Sequence, residues 1–464
     1  MPPQLALIIC SIFVLLLLRL ENKQAPEISF ALWIPTLWML MITSKPLGIW
    51  FGSVGAGMEE GSAIDRVVLS TLLCLGFIIL AGRKFNLSSI IKKNACVMLL
   101  IGFMLVSILW SDMPYVSFKR WIRELIAVVM AMVVATEPEP RQALQSIFRR
   151  IVYVLIPFSY ILIHYFPQYG RGYGHWSGAQ MWTGVASQKN GLALLCLFSA
   201  FFLVWTLIRR WQGRDKPVVR YQVPLEVFLL FLTIWLFMGP QHTLKHSATS
   251  TVALAFGLTT FVGLSWMKKR GKLIGSSTLM LLVLFIIIYG TITPFIGGLT
   301  LYDASSALGR GQTLTGRSEI WAFLVPIAMQ KSILGHGFGG FWTSAMSEAA
   351  KGPAHNGYLD IILNLGFVGL ILFSMFLLSC CRRFQKTLLH DFDWGVFGIC
   401  FLLMGVVHNI AETSIYGFTG SFPAIILFLA VSFTTVISRF TSEYRNGILE
   451  GGQPIQRPNE HISA

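Results

Sequence analysis

The stretch Leu279-Met-Leu-Leu-Val-Leu-Phe-Ile-Ile-Ile288 contains no charge and no break in its apolar character, and it lies inside a hydrophobic run from 273 to 295. A run of about twenty such residues matches the thickness of a bilayer core, and its continuity, without alternation, reads as a membrane helix and not as a barrel strand. Similar runs cover approximately 4–20, 28–44, 66–82, 95–110, 121–136, 150–166, 188–208, 223–240, 249–267, 357–380, 394–411 and 420–438. The fold class expected is therefore all-α, a polytopic helical bundle with about 12–14 spans. With 55% hydrophobic and only 12% charged residues, the composition excludes a soluble globular enzyme.

No basic residue precedes the first span and no small-residue cleavage site follows it, so it reads as a retained helix. No repeat of fixed period stands out. Residues 1–440 are expected to form a single transmembrane domain, with one long loop at 294–356 and a disordered cytoplasmic tail at 441–464. Within the loop, Arg317 to Ser332 can form an amphipathic helix over the membrane, with Thr315 placed to cap it and Ile320, Leu324, Ile327 and Ala328 at helical spacing. The seven Cys sit in or beside apolar segments and suggest neither a disulfide framework nor a metal motif.

The net charge of +15 lies in short loops between spans, which marks it as a topology signal and not as a nucleic-acid surface. Placing the loops alternately puts 24 of the 36 basic residues on one side. That side is expected to be cytoplasmic, with the C-terminus inside and the N-terminus outside. The other side keeps Lys45, Arg66, Lys119, Arg120, Arg123, Arg171, Lys189, Lys245, Arg310, Arg317, Lys331 and Lys351. Cations at that outer membrane level suit an anionic headgroup or a diphosphate. Snorkelling anchors and local pairs, Arg123 with Glu124 and Arg66 with Asp65, are the bland alternative.

Two polar islands interrupt the apolar pattern: Leu314-Thr-Gly-Arg-Ser-Glu-Ile-Trp321 and His355-Asn-Gly-Tyr-Leu-Asp360. An ionisable group at the bilayer boundary needs a partner or a task. Asn356, Asp360 and Asn364 fall on one helical face, which should look into the bundle. His355 can be neutral near pH 7 and take a proton from a hydroxyl, although a structural hydrogen-bonder is the commoner reading of the bare motif. Leu334-Gly-His-Gly-Phe-Gly-Gly340 reads as a tight, backbone-exposed turn and not as a phosphate loop, because no strand precedes it and no Lys-Ser/Thr follows. Glu319, Asp360 and Glu412 are scattered over three segments and do not suggest the paired acids of a glycosidase. Glu412 could orient a cation or a hydroxyl, or simply satisfy the polar end of its helix.

Taken in order, Trp110-Ser-Asp112, Gln188-Lys-Asn190, Thr315-Gly-Arg317 with Trp321, Leu334-Gly-His-Gly-Phe-Gly339, His355-Asn-Gly-Tyr-Leu359, Leu365-Gly366 and His408-Asn-Ile-Ala-Glu412 resemble the O-antigen ligase and polysaccharide polymerase family, most of all its ExoQ-type exopolysaccharide polymerases. The resemblance implies a GT-C-like glycosyltransferase in the bacterial inner membrane, with its active site and long loop facing the periplasm. The donor would be a glycan on undecaprenyl diphosphate and the acceptor a lipid-linked repeat unit, transferred without metal or cofactor and with inversion. No nucleic acid is expected; membrane lipid and a polysaccharide co-polymerase or export protein are the implied partners.

In that resemblance Arg317 binds the diphosphate and His355 takes the proton, with Asn356, Asp360, Glu412 and His336 in support. Relatives also carry a second Arg near the span at 249–267, where this chain reads Lys245-His-Ser-Ala-Thr-Ser-Thr251. Lys245 and Lys189 are the candidates to replace its charge, with Arg120 and Arg123 behind them. His246, His336 and His408 are lesser alternatives to His355. Two rival functions use similar features: a ligase transferring the glycan to lipid A core, and a transporter or flippase for the lipid-linked glycan.

Overall fold

The computed structural model describes residues 1–52, 61–173, 178, 180–240, 247–272, 274–296 and 315–434. The helices used below are α1 (Pro3–Gln24), α2 (Trp33–Thr43), α3 (Ala63–Ala81), α4 (Ala95–Val106), α5 (Pro114–Ala135), α6 (Pro140–Tyr165) and α7 (Lys189–Trp211). They continue as α8 (Gln222–Met238), α9 (Ala248–Lys269), α10 (Ser276–Ile292), α11 (Thr315–Gln330), α12 (Gly357–His390), α13 (Phe392–His408) and α14 (Ser421–Thr434). One antiparallel hairpin, β1 (Arg171–Tyr173) with β2 (Gln180–Trp182), is the only sheet among the described residues. The chain is an all-α, multi-pass membrane protein.

Every apolar run of the sequence falls on a helix, but the helices are less uniform than thirteen full spans. Six of them, α1, α3, α6, α7, α9 and α12, are long and apolar enough to cross a membrane, and Leu87–Lys93 with Ala95–Trp110 makes a seventh that is bent by 86°. Five others are apolar but shorter, at 10–17 residues within the described chain. α5 is long, but its first half carries Lys119, Arg120, Arg123 and Glu124.

The bundle has an inside and a lipid side. α6, α7 and α12 are mostly buried, whereas α1, α3 and α9 present most of their apolar surface outward. Residues such as Leu15, Ile78, Phe231 and Leu281, each more than half exposed, are costly in water and neutral in hydrocarbon. The aromatic centre packs Phe148, Phe198, Phe202 and Phe397, mostly edge to face, between α6, α7 and α13.

At the end of the bundle where α6 begins and α7 ends, basic residues do more than set topology. Arg150 pairs with Glu21 at 2.8 Å and Arg210 with Glu226 at 2.7 Å, both enclosed, and Arg83 pairs with Glu137. Such pairs hold register between helices, because removing one partner leaves an uncompensated buried charge. At the other end the local pairs suggested by sequence are not made. Asp65 accepts the backbone N–H groups of Leu47 and Gly48, and Glu124 accepts the Phe418 N–H and the Thr419 hydroxyl, so neither makes a contact ion pair with the neighbouring Arg66 or Arg123.

α12 is interrupted at Gly366, whose φ of 65° no β-carbon-bearing residue adopts cheaply. The interruption frees the Leu363 carbonyl, which accepts from the His336 N–H at 2.9 Å. The Phe367 and Val368 N–H groups in turn donate to the carbonyls of Ser332 and Ile333. The glycine-rich turn is thus threaded into the break in α12. A β-carbon on Gly366 would stand 2.2 Å from the Ile333 oxygen, and one on Gly335 would stand 2.5 Å from the Asn364 carbonyl carbon.

This overturns the reading of Gly335 to Gly340 as backbone-exposed, since all six residues are buried. The Phe338 N–H donates to Ser107 Oγ and the Gly339 N–H to Asn364 Oδ1, both at 2.9 Å. Glycine content reported the close approach of two backbones, not solvent.

Candidate active site

The polar islands meet at the end of the bundle where α7, α11 and α12 begin and α13 finishes. Arg317 lies in the first turn of α11, whose Trp321 is buried and donates its indole N–H to the Ala354 carbonyl at 2.8 Å. That bond ties α11 to the residue before His355. His355 itself has φ of 50°, one of two non-glycine residues with positive φ among the described chain. The αL conformation is uncommon outside Gly, although His, like Asn and Asp, adopts it more readily than most residues, and such positions concentrate at functional sites. The next residue, Asn356, caps α12 by accepting from the Leu359 N–H and donates to the Gly290 and Ile410 carbonyls, all at 2.8–2.9 Å. His355 is therefore fixed from both sides.

Glu412 joins these residues. Its Oε1 accepts from Arg317 Nη2 and from Asn190 Nδ2, both at 2.7 Å, and its Oε2 stands 3.0 Å from His355 Nδ1. A carboxylate has lone pairs for about four donors, so three partners are readily held. Burial alone would raise the Glu412 carboxyl; the His355 hydrogen bond and the Arg317 charge outweigh it, and the group is held below the usual carboxylate range. Glu412 is thus an anion that accepts from His355, which puts the imidazole proton on Nδ1. With the proton on Nδ1, Nε2 is the nitrogen left to face a substrate, and the side chain is 26% exposed, enough to meet one. A guanidinium carries five N–H donors, and the Glu412 contact uses one.

The loop carrying Glu412 is pinned in turn. His408 contacts Ser250 Oγ at 2.9 Å through Nε2 and Ser414 Oγ at 2.5 Å through Nδ1. With both nitrogens engaged and the residue 2% exposed, His408 is a structural bridge from α9 to this loop. Asn409 accepts from the Ser414 and Ile415 N–H groups at 3.1 and 2.7 Å. Asp360 accepts the Thr413 hydroxyl and, at 2.7 Å, the Trp342 indole N–H; Asn364 donates to the Asp360 carbonyl at 2.8 Å. The Asn356, Asp360 and Asn364 face is buried and binds the Glu412 loop and the glycine turn to α12.

The remaining candidates divide. Arg120 donates to the carbonyls of Gly339 and Trp342 and so closes the glycine turn. Arg123 reaches toward Gly61, at the entry to α3. His336 is nearly buried, which lowers its imidazole below the usual value despite the Ile327 carbonyl nearby, and it packs on Phe341. Lys45, another outer-face cation, is buried with its ammonium on the Tyr169 and Gly184 carbonyls beside the hairpin. Lys189, next to Asn190, borders a crevice with Trp182, Leu236 and Ser247. Lys245, His246, Arg310 and the tail from Thr441 lie outside the described residues, as do the Thr315 side chain and the loop at 297–314.

Sequence reasoning singled out Arg317 and His355 but gave Glu412 a lesser part and did not place Asn190 in the site. The reading of Glu412 as a helix-end satisfier is corrected: it connects three segments. Its four-residue offset from His408, within the quoted His408 to Glu412 motif, was the available signal.

Residues 242–374, which include Arg317, His355 and the α12 break, match the family described as O-Antigen ligase. The match falls on the segment that carries most of the motifs behind the family resemblance. The chain is also similar to the exopolysaccharide production protein ExoQ of Rhizobium meliloti (strain 1021), at 24% identity over 308 residues. That match spans 62% of this chain and 65% of the relative's own length.

Proposed function

We propose that the chain is a membrane glycosyltransferase that polymerises lipid-diphosphate-linked oligosaccharide repeat units into a surface or exopolysaccharide. The observation carrying this reading is the single carboxylate, Glu412, that holds a guanidinium and an imidazole side by side. His355 Nε2 takes the proton of an acceptor hydroxyl as its oxygen attacks the anomeric carbon. The carbon–oxygen bond to the diphosphate breaks, the electron pair leaves with the lipid diphosphate, and Arg317 stabilises that charge. Attack opposite the leaving group gives inversion. The guanidinium supplies the charge stabilisation that other glycosyl transfers take from a divalent metal.

The charge asymmetry between loops supports an active site on the periplasmic face and a cytoplasmic C-terminus. The similarity to a protein of exopolysaccharide production favours a polymerase over a ligase.

The test uses purified protein with a lipid-diphosphate oligosaccharide and follows product length on gels. Wild type should extend the glycan without any ion gradient, and His355→Ala should be inserted normally yet form no polymer. Full polymer from His355→Ala would overturn the assignment. Accumulation of long lipid-linked chains in a cell lacking the protein would identify a ligase instead, and binding without turnover a transporter.

A further inference from the structure

At the end of the bundle remote from Glu412 lies a cavity of about 290 Å³ between α7, α9 and α13. Its distance follows from the helices that line both places. Asn190 to Arg209 on α7, and Ser250 to Lys268 on α9, each span roughly 27–29 Å at the helical rise. The volume is close to the roughly 300 Å³ at which small-ligand pockets begin. Nothing in the glycosyl-transfer chemistry uses this cavity.

Its lining is strongly cationic. Arg209, Arg214, Lys268 and Lys269 face one carboxylate, Asp393, leaving an excess of three positive charges. Asp393 pairs with Arg214 and stands 3.5 Å from Arg209 Nε. Aromatic faces hold two of the cations in place: Arg209 lies 4.5 Å from the centre of Trp205, and Lys268 Nζ 4.1 Å from that of Phe392. Arg209 Nε and Nη1 are enclosed and have no hydrogen-bond acceptor.

The wall formed by α9 also faces outward, with Val262 and Trp266 more than half exposed in the same stretch as Ser265 and Lys268. A charged recess opening beside an apolar, lipid-facing helix matches a phospholipid, phosphate inward and acyl chains along the helix. We propose that this cavity binds the phosphodiester headgroup of an anionic membrane lipid.

The test measures lipid retained by the purified full-length protein in detergent, using native mass spectrometry with phosphatidylglycerol and phosphatidylcholine as probes. Phosphatidylglycerol should bind saturably and at least tenfold more tightly. Lys268→Gln with Lys269→Gln leaves the Asp393 ion pairs intact and should lower that affinity at least tenfold. Ser265→Trp, which fills the cavity without changing charge, should do the same. Removing equal charge from the exposed pair Lys92 and Lys93 should change affinity less than twofold. Equal losses at the two lysine pairs, or no loss with Ser265→Trp, would overturn the site in favour of diffuse attraction. Glycerol 3-phosphate binding as tightly as the lipid would overturn the lipid assignment and identify a soluble phosphoester as the ligand.

Discussion

Replacing Glu412 by Gln keeps the size of the side chain and removes the feature on which the cluster depends. The carboxylate accepts from Arg317 and Asn190 on one oxygen and from His355 on the other. An amide has one accepting oxygen; if that oxygen keeps Arg317 and Asn190, its NH2 faces His355 Nδ1 and favours the tautomer with the proton on Nε2, which leaves no lone pair toward a substrate. Each hydrogen bond to the charged carboxylate contributes about 1.5–3 kcal/mol, and holding His355 in the wrong tautomer adds to the loss in rate. A total of about 3–5 kcal/mol corresponds to a fall in rate of roughly 10²–10⁴-fold. The assay is the initial rate of polymer formation by purified protein, with kcat and KM determined separately. Glu412 acts through His355 and Arg317, so kcat should fall by far more than KM rises, and Glu412→Asp should recover part of the rate.

Stability gives an independent readout. The Glu412 carboxyl is held below its ordinary 4.5, so its contribution is complete above that pH and is lost as pH falls through the lowered value in the folded protein. The melting-temperature gap between wild type and Glu412→Gln should therefore close as pH falls below about 4.5. A folded, monodisperse Glu412→Gln protein with kcat within threefold of wild type would refute the account.

Arg317→Lys keeps the charge but loses the planar fork, and should raise the KM for the lipid-diphosphate donor and lower kcat, together costing about 10–100-fold in kcat/KM; a donor titration measures it. His408→Gln should lower the melting temperature through loss of the Ser250 and Ser414 contacts, about 1–3 kcal/mol, while leaving the rate per folded molecule within about threefold, in contrast to His355→Ala. Gly366→Ala should cost about 2–3 kcal/mol or more, because it combines a strained φ with a β-carbon against the Ile333 carbonyl. Reduced folded yield and melting temperature in detergent check this, and a Gly366→Ala protein as stable as wild type would show that the break in α12 relaxes freely.

The bundle was legible because a bilayer imposes one strong condition, a length of apolar chain, on every helix that enters it. Helix lengths were less legible: the apolar run at 273–295 is helical only over Ser276–Ile292 before a turn, and apolarity does not register that stop. Arg317 and His355 stood out as charges in apolar surroundings. Glu412 did not, because its meaning lies in contacts 57, 95 and 222 residues away in sequence, which no local pattern encodes. Arg120 and Lys45 looked like free outer cations because sequence does not reveal the carbonyls that a folded loop turns toward them. The burial of the glycine turn was hidden for the same reason, since Ser107 and Asn364 supply its acceptors from distant helices.

Synthesis proceeds from the N-terminus, and the Glu412 cluster draws on four segments separated by long stretches of chain. When α12 has entered the membrane, Asn190, Arg317 and His355 have all been made, yet the anion that gathers them follows α13. A ribosome-bound or truncated chain can thus hold most of its membrane helices while its cationic and imidazole groups remain unassembled. On the proposed mechanism, activity can begin only when the loop that follows α13 has been made and Glu412 has closed the cluster.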